Sequence, residues 1–146
     1  MSLILGVGNR LRGDDAAGLL VIEGLRAAAP PGLRLETLEG TALELCSRWE
    51  PEERVVIVDA MSAGGAPGVV RRFDALAAPI PAEAFDLSTH ALGLARGIEL
   101  ARALDQLPRA LLVIGIEGQR FDFDTAPTPA VAAACEALVR ELLSQA

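Results

Sequence analysis

Residues 3–18, LILGVGNRLRGDDAAG, constrain the fold of this chain more than any other segment. An apolar run, Leu3–Val7, ends in glycines, and two adjacent acids, Asp14 and Asp15, open a helical pattern. This order of strand, tight turn and helix start is typical of open α/β sheets, which bind ligands at the carboxyl ends of their strands. The segment therefore predicts an α/β protein with a polar site near these acids.

Two later strand patterns define the sheet. The β-branched run Val55–Val58 is typical of a central strand that is buried on both faces, and it ends at Asp59. The Gly/Pro-rich residues 60–68 are too few for the helical crossover that a parallel neighbour needs. We therefore expect the next strand, Val69–Phe73, to run antiparallel and to lie toward a sheet edge.

The complete element order is β-α-β-α-β-β-α-β-α. It predicts one domain over residues 1–146 with a three-layer α/β/α sandwich. The sheet should have five strands, all parallel except Val69–Phe73. Local signals add a short helix from a capping box at Thr41–Glu44 to Trp49, and a helix starting near His90. The segment 74–89 between strand and helix is predicted to be a long loop, and loops of that length are usually functional or disordered.

Composition excludes several classes of protein. The net charge is −7 and lysine is absent, so a nucleic-acid backbone is an unsuitable partner. No apolar run approaches the ~20 residues of a membrane span, and no basic segment precedes the first apolar run. Cys46 and Cys135 fall in apolar helical patterns, which indicates buried free thiols. We expect a cytoplasmic monomer that neither inserts into a membrane nor binds nucleic acid.

A nucleotide site is poorly supported. Gly6 and Gly8 fit the start of a dinucleotide fingerprint, but Leu11 occupies the position of its third glycine. A phosphate at a helix N-terminus favours positive surroundings, whereas this helix begins with two acids. A P-loop also requires a lysine, and the chain has none.

The acids and the single histidine suggest a different site. One of Asp14 and Asp15 is explained as a helix cap, which leaves the other for chemistry. Asp59 ends a central strand beside the first strand, and His90 follows the long loop on the same expected rim. Two carboxylates and an imidazole suit a transition metal with open positions. A serine triad is less supported, because Ser62 and Ser88 lack a nucleophile-elbow sequence.

The pattern G-V-G-N-x-L-x-x-D-D over Gly6–Asp15 resembles the N-terminal signature of the [NiFe]-hydrogenase maturation endopeptidases. Further matches occur in the family's order over nearly the whole chain. They are Gly40-Thr41, Val56–Ala60, Gly65–Gly68, the S-x-H-x-x-G-[LF]-like segment Ser88–Leu94, Gly115–Glu117 after the fifth strand, and Thr128-Pro129.

The resemblance implies an endopeptidase that removes a C-terminal extension from the nickel-loaded precursor of the hydrogenase large subunit. It implies that Asp15, Asp59 and His90 contact nickel supplied by that substrate and take part in the cleavage. Asp14 is then structural. The sequence leaves open whether cleavage uses a metal-bound water, a general base or the metal alone. A cation shared by protease and substrate would polarise the scissile carbonyl and lower the pKa of a bound water, and Asp15 or Asp59 would then serve as base.

The alternatives are a non-catalytic metal-binding or chaperone-like module with the same three residues, and a small hydrolase or nucleotide-binding protein that kept only the scaffold. The chain departs from the family pattern at Ala16-Ala17, Leu43 and Gly118. These departures concern loop shape and the choice of substrate.

Overall fold

The computed structural model describes residues 2–28, 30–87 and 92–145. They form a five-stranded sheet in the order β2-β1-β3-β5-β4, with helices on both faces. In chain order, the elements are β1 (Ser2–Gly8), a 3₁₀ helix (Gly13–Ala16), α1 (Ala17–Ala28), β2 (Leu33–Glu39), a 3₁₀ helix (Leu45–Arg48), β3 (Arg54–Met61), β4 (Val70–Asp74), α2 (Ala82–Phe85), α3 (Leu94–Ala103), β5 (Ala110–Glu117) and α4 (Pro129–Ser144).

The sheet confirms the predicted topology. β1 pairs in parallel with β2 on one side and with β3 on the other, and β3 pairs in parallel with β5. β4 runs antiparallel to β5 at the edge, one residue later than the predicted Val69–Phe73. Arg71 and Arg72 on this edge strand are exposed, as expected for a strand that has solvent on one side.

Two apolar clusters pack the helices onto the two faces of the sheet. One cluster combines odd-numbered residues of β1, such as Leu3 and Leu5, with α2, α3 and the segment up to Trp49. The other joins the opposite face of the sheet to α1 and α4 through residues such as Ile22 and Leu138. This is the predicted α/β/α sandwich, since each face of the sheet is covered by helices.

Two predicted local elements are wrong in detail. The Thr41–Glu44 capping box is not formed, because Thr41 Oγ1 accepts the nearby Leu43 N–H at 3.3 Å and only a 3₁₀ turn follows. The helix expected near His90 begins at Leu94. Its start is set from outside the helix, because Asp86 Oδ1 accepts the Ala95 N–H at 3.0 Å.

Two further differences concern the segments beside the site. The loop over 74–89 contains the four-residue helix α2, which its irregular pattern did not predict. Gly115–Glu117 belongs to β5 and does not follow it. In the described part of the chain, no helix is long and apolar enough to cross a membrane.

Candidate active site

A cavity of about 190 Å³ lies at the carboxyl ends of β1 and β3, where the sequence predicted a site. Asp15 and Asp59 both line it, together with the loops that follow β1 and β2, the segments beside α2 and α3, and Phe123. A larger, mainly apolar cavity of about 480 Å³ lies at the amino ends of the strands, between residues such as Ser2 and Arg54. The paired acids of the smaller cavity make it the candidate site.

The turn after β1 places Asp15 at the cavity. Gly8 ends the strand so close to this turn that a Cβ there would lie 2.1 Å from the Asp15 carbonyl oxygen. Asn9 donates its backbone N–H to that oxygen at 3.1 Å, which closes the loop. Gly13 has φ +54°, a conformation that favours glycine. The glycines therefore serve a tight turn, as the sequence suggested, and not a phosphate.

Asp14 is buried and has a structural role, although it is not the predicted helix cap. Its carboxylate accepts backbone N–H groups from Gln119, Arg120 and Thr128 at 2.6–2.9 Å, and the Thr128 hydroxyl at 3.0–3.1 Å. Burial alone would raise the pKa of Asp14, but these donors outweigh burial and lower its pKa. Asp14 thus fixes the connection between β5 and α4.

This connection, residues 118–128, is joined to the turn after β1 by several backbone bonds; we call it the 118–128 loop. Gly13 N–H donates to the Thr125 carbonyl at 3.1 Å, and Asp14 N–H donates to the Arg120 carbonyl at 2.7 Å. In return, Asp124 N–H donates to the Leu11 carbonyl at 2.8 Å. The wall of the cavity that carries Asp15 is therefore supported from a distant part of the chain.

Asp59 lies within β3, which continues to Met61 and does not end at Asp59 as the sequence predicted. It is on the same face of the strand as Ile57 and Met61. Its side chain is buried, with 5% of the residue exposed. Burial, followed by the negative charge of Asp15, raises the pKa of Asp59 well above its ordinary value. The Ala60 N–H acts in the opposite direction, and the negative charge of Asp86 adds a smaller upward effect. Asp59 therefore holds a proton more readily than an ordinary aspartate.

Asp15 shares this environment. Burial raises its pKa to about 6, and the Arg12 guanidinium, whose Nη1 lies 3.9 Å from Asp15 Oδ2, acts in the opposite direction. Two neighbouring acids with raised pKa values are costly to keep charged without a cation between them. Such a pair is typical of a functional site, where it binds a cation or transfers a proton.

Two residues of this site were not identified from the sequence. Arg12 lines the cavity, and Asp86 contributes charge beside Asp59. Asp86 falls in the 74–89 segment, whose length indicated a functional or disordered loop, so the sequence carried only a general signal for it. The sequence carried no signal for Arg12, because nothing in the sequence distinguishes it from the other arginines among the thirteen in the chain.

The third predicted ligand, His90, lies outside the described residues, as does Ser88. Within the described ranges, no group of three His, Cys, Asp or Glu side chains could hold a metal ion. Asp15 and Asp59 supply two carboxylates, which is an incomplete set for a tightly bound divalent ion. Ser62 is exposed, and its backbone N–H donates to the Ala84 carbonyl at 2.8 Å.

Known proteins resemble this chain over most of its length. A family model described as hydrogenase maturation protease matches residues 38–145. The Hydrogenase 2 maturation protease of Escherichia coli K12 is 29% identical over 147 residues, covering 97% of this chain and 88% of that protein. HupD, a hydrogenase expression/formation protein of Thiocapsa roseopersicina, is 29% identical over 122 residues.

Solved structures share the fold. The hydrogenase maturating endopeptidase HybD of Escherichia coli has a TM-score of 0.79 at 25% identity, covering 99% of this chain and 90% of that one. The [NiFe] hydrogenase maturation protease HycI of Thermococcus kodakarensis KOD1 has a TM-score of 0.74 at 26% identity, covering 98% and 90%. The match to HupD spans 82% of this chain but only 55% of that longer relative.

Proposed function

Because the chain belongs to the hydrogenase maturation protease family, we propose that it is an endopeptidase that removes a C-terminal extension from the nickel-loaded precursor of a [NiFe]-hydrogenase large subunit. The observation that carries this proposal is the pair Asp15 and Asp59, which β1 and β3 bring to one cavity. A pair of acids, one buried and one partly buried, at the carboxyl edge of an α/β sheet suits both a cation and a proton transfer.

The proposed metal is part of the substrate. Two carboxylates offset the charge of a divalent ion, and we propose His90 as the third contact, because it occupies the histidine position of the family-like segment Ser88–Leu94. Two described carboxylates make a weak site by themselves, so the precursor that holds the nickel supplies the remaining ligands. Recognition of that metal would confine cleavage to precursors that already contain nickel.

The carboxyl pair also fits the chemistry of peptide hydrolysis. A water molecule that attacks the scissile carbonyl must lose a proton, and the leaving amine must gain one. Asp15 has a pKa of about 6, so near neutral pH it is ionised and still basic enough to accept that proton. The pair then returns the proton to the amine as the C–N bond breaks, while the substrate's nickel polarises the carbonyl.

The environment of the protein is also part of the proposal. We propose that it works as a monomer in the cytoplasm without a nucleic-acid partner. The free thiols Cys46 and Cys135 support the cytoplasm, and the net charge of −7 argues against a nucleic-acid partner.

A direct test is incubation of the protein with a nickel-loaded large-subunit precursor, followed by intact-mass spectrometry of the precursor. We expect loss of one C-terminal peptide, with no cleavage of the same precursor prepared without nickel. His90→Ala should abolish the loss. A precursor that binds the protein but keeps its extension would instead support the non-catalytic metal-binding or chaperone-like module.

A further inference from the structure

Arg12 is a cation in the wall of an otherwise acidic cavity. Its Nη1 lies 3.9 Å from Asp15 Oδ2, and its side chain is 20% exposed. It lines the same cavity as Asp15 and Asp59. An arginine guanidinium carries a positive charge, so this wall of the cavity is not uniformly acidic.

The 118–128 loop holds Arg12 in place. Arg12 Nε donates to the Phe121 carbonyl at 3.1 Å, and the guanidinium carbon lies 5.4 Å from the centre of the Phe123 ring. The backbone of Arg12 also forms a parallel bridge with Thr125. The charge is therefore held by contacts that do not depend on Asp15, and it would stay nearby if Asp15 bound another cation.

A fixed positive charge affects different metal species in opposite ways. It repels a free divalent ion that approaches Asp15, because the two charges have the same sign in a partly desolvated cavity. It does not repel a metal centre whose anionic ligands bring its net charge to zero, and it attracts a centre whose ligands make the net charge negative. We propose that Arg12 is a specificity-determining residue, which disfavours free divalent cations at Asp15 and Asp59 and favours a metal that another protein presents with anionic ligands.

This inference rests on the proposed function, because it assumes that Asp15 and Asp59 contact the substrate's nickel. It adds a reason for selectivity. Two acids in one cavity would otherwise bind free divalent ions, even if weakly, and these ions would compete with the precursor's metal. Arg12 reduces that competition without blocking the contacts that the precursor's metal makes.

Arg10 provides a matched control two residues away. It forms ion pairs with Glu23 and with Glu39 on the exposed surface, and it does not line the cavity. Loss of Arg10 changes the net charge by the same amount as loss of Arg12. Any difference between the two variants therefore reports the position of the charge.

The test is isothermal titration of the purified protein with Ni²⁺ alone. We expect Arg12→Met to bind Ni²⁺ about tenfold more tightly than the wild type, and Arg10→Met to bind as the wild type does. Arg12→Lys keeps the charge and should bind weakly again. The gain in Ni²⁺ affinity of Arg12→Met should become smaller as salt is added, and Asp15→Asn in the Arg12→Met background should abolish this gain. Thermal melts confirm folding, and Arg12→Gln is the second neutral variant.

Equal Ni²⁺ affinity in the wild type and both neutral variants, or a gain that Arg12→Lys shares, would overturn the role of Arg12. A gain that survives Asp15→Asn would do so as well. Failure of the proposed function looks different. In that case the nickel-loaded precursor stays uncut, while the Asp15-dependent gain in Ni²⁺ affinity is still measured.

Discussion

Asp14 and Asp15 are adjacent and chemically identical, yet they lie in opposite surroundings. Asp14 receives three backbone N–H groups and a hydroxyl, and its pKa is lowered. Asp15 faces the cavity, where burial raises its pKa and, among the described residues, Arg12 is its charged partner. The difference shows how to separate a structural acid from a functional one. Burial is common to both, and the supply of hydrogen-bond donors distinguishes them.

The same comparison extends to the two regions around these acids. The contacts of Asp14 join the 118–128 loop to the turn after β1, and this rigid connection supports one wall of the cavity. Asp15 and Asp59 lie on the open side of that turn, where their raised pKa values weaken the folded state near neutral pH. Stability gained in one region thus supports a costly arrangement in the other.

The largest expected effect is on catalysis. Asp59→Asn and, separately, Asp15→Asn should lower the rate of precursor processing about a thousandfold, because each removes a proton acceptor and a metal contact. The rate is measured by mass spectrometry of the nickel-loaded precursor, with circular dichroism to verify folding. Asp122→Asn, an exposed acid on the 118–128 loop, is the control and should process normally. Full activity in both site variants would show that the cavity is not the active site.

Asp14→Asn should have the largest effect on stability. The amide loses the charge that three N–H groups and the Thr128 hydroxyl contact, and its NH₂ group must face one of those donors. We expect a loss of about 3 kcal/mol in the free energy of unfolding, measured by urea denaturation at pH 7. Asp122→Asn should change it by less than about 0.5 kcal/mol. If Asp14→Asn lowered the free energy of unfolding no more than this control does, the structural role assigned to Asp14 would be wrong.

Much of the fold was predictable because it depends on local patterns. The β-branched run of β3 indicated a central strand that delivers Asp59 to the carboxyl edge, and the short connection over 60–68 required an antiparallel β4. Asp15 followed from the adjacent acids and from the family resemblance. These features depend on periodicity, on connection length and on motifs that lie within a few residues.

The rest depends on contacts between distant segments. The donors to Asp14 lie more than 100 residues away along the chain, at Gln119, Arg120 and Thr128. The sequence therefore indicated a helix cap, whereas in the structure the Asp14 carboxylate binds the 118–128 loop. The start of α3 at Leu94 depends on Asp86, which is outside the helix. Arg12 was missed for the same reason, since its place in the cavity is set by the 118–128 loop.

The smallest expected effect, in the pH dependence of stability, tests the opposite pKa shifts of the two acids. The pKa of Asp15 is raised from 3.8 to about 6, so the folded state binds more protons than the unfolded state between these values. The stability that Asp15 contributes is present below pH 4 and is lost as the pH rises through 6. The Asp15→Asn variant does not lose stability in this way. Its free energy of unfolding should therefore match that of the wild type near pH 4 and exceed it by about 2 kcal/mol at pH 7.5, as measured by urea denaturation across that range.

Asp14→Asn should show the reverse dependence. Because the pKa of Asp14 is lowered, its carboxylate stabilises the folded state above pH 4, and this contribution is lost as the pH falls through the lowered pKa. The deficit of Asp14→Asn relative to the wild type should therefore narrow in acid, while the advantage of Asp15→Asn grows toward neutral pH. Parallel profiles for the two variants would contradict the contrast between the two acids, because neighbouring carboxyls in equivalent surroundings would titrate alike.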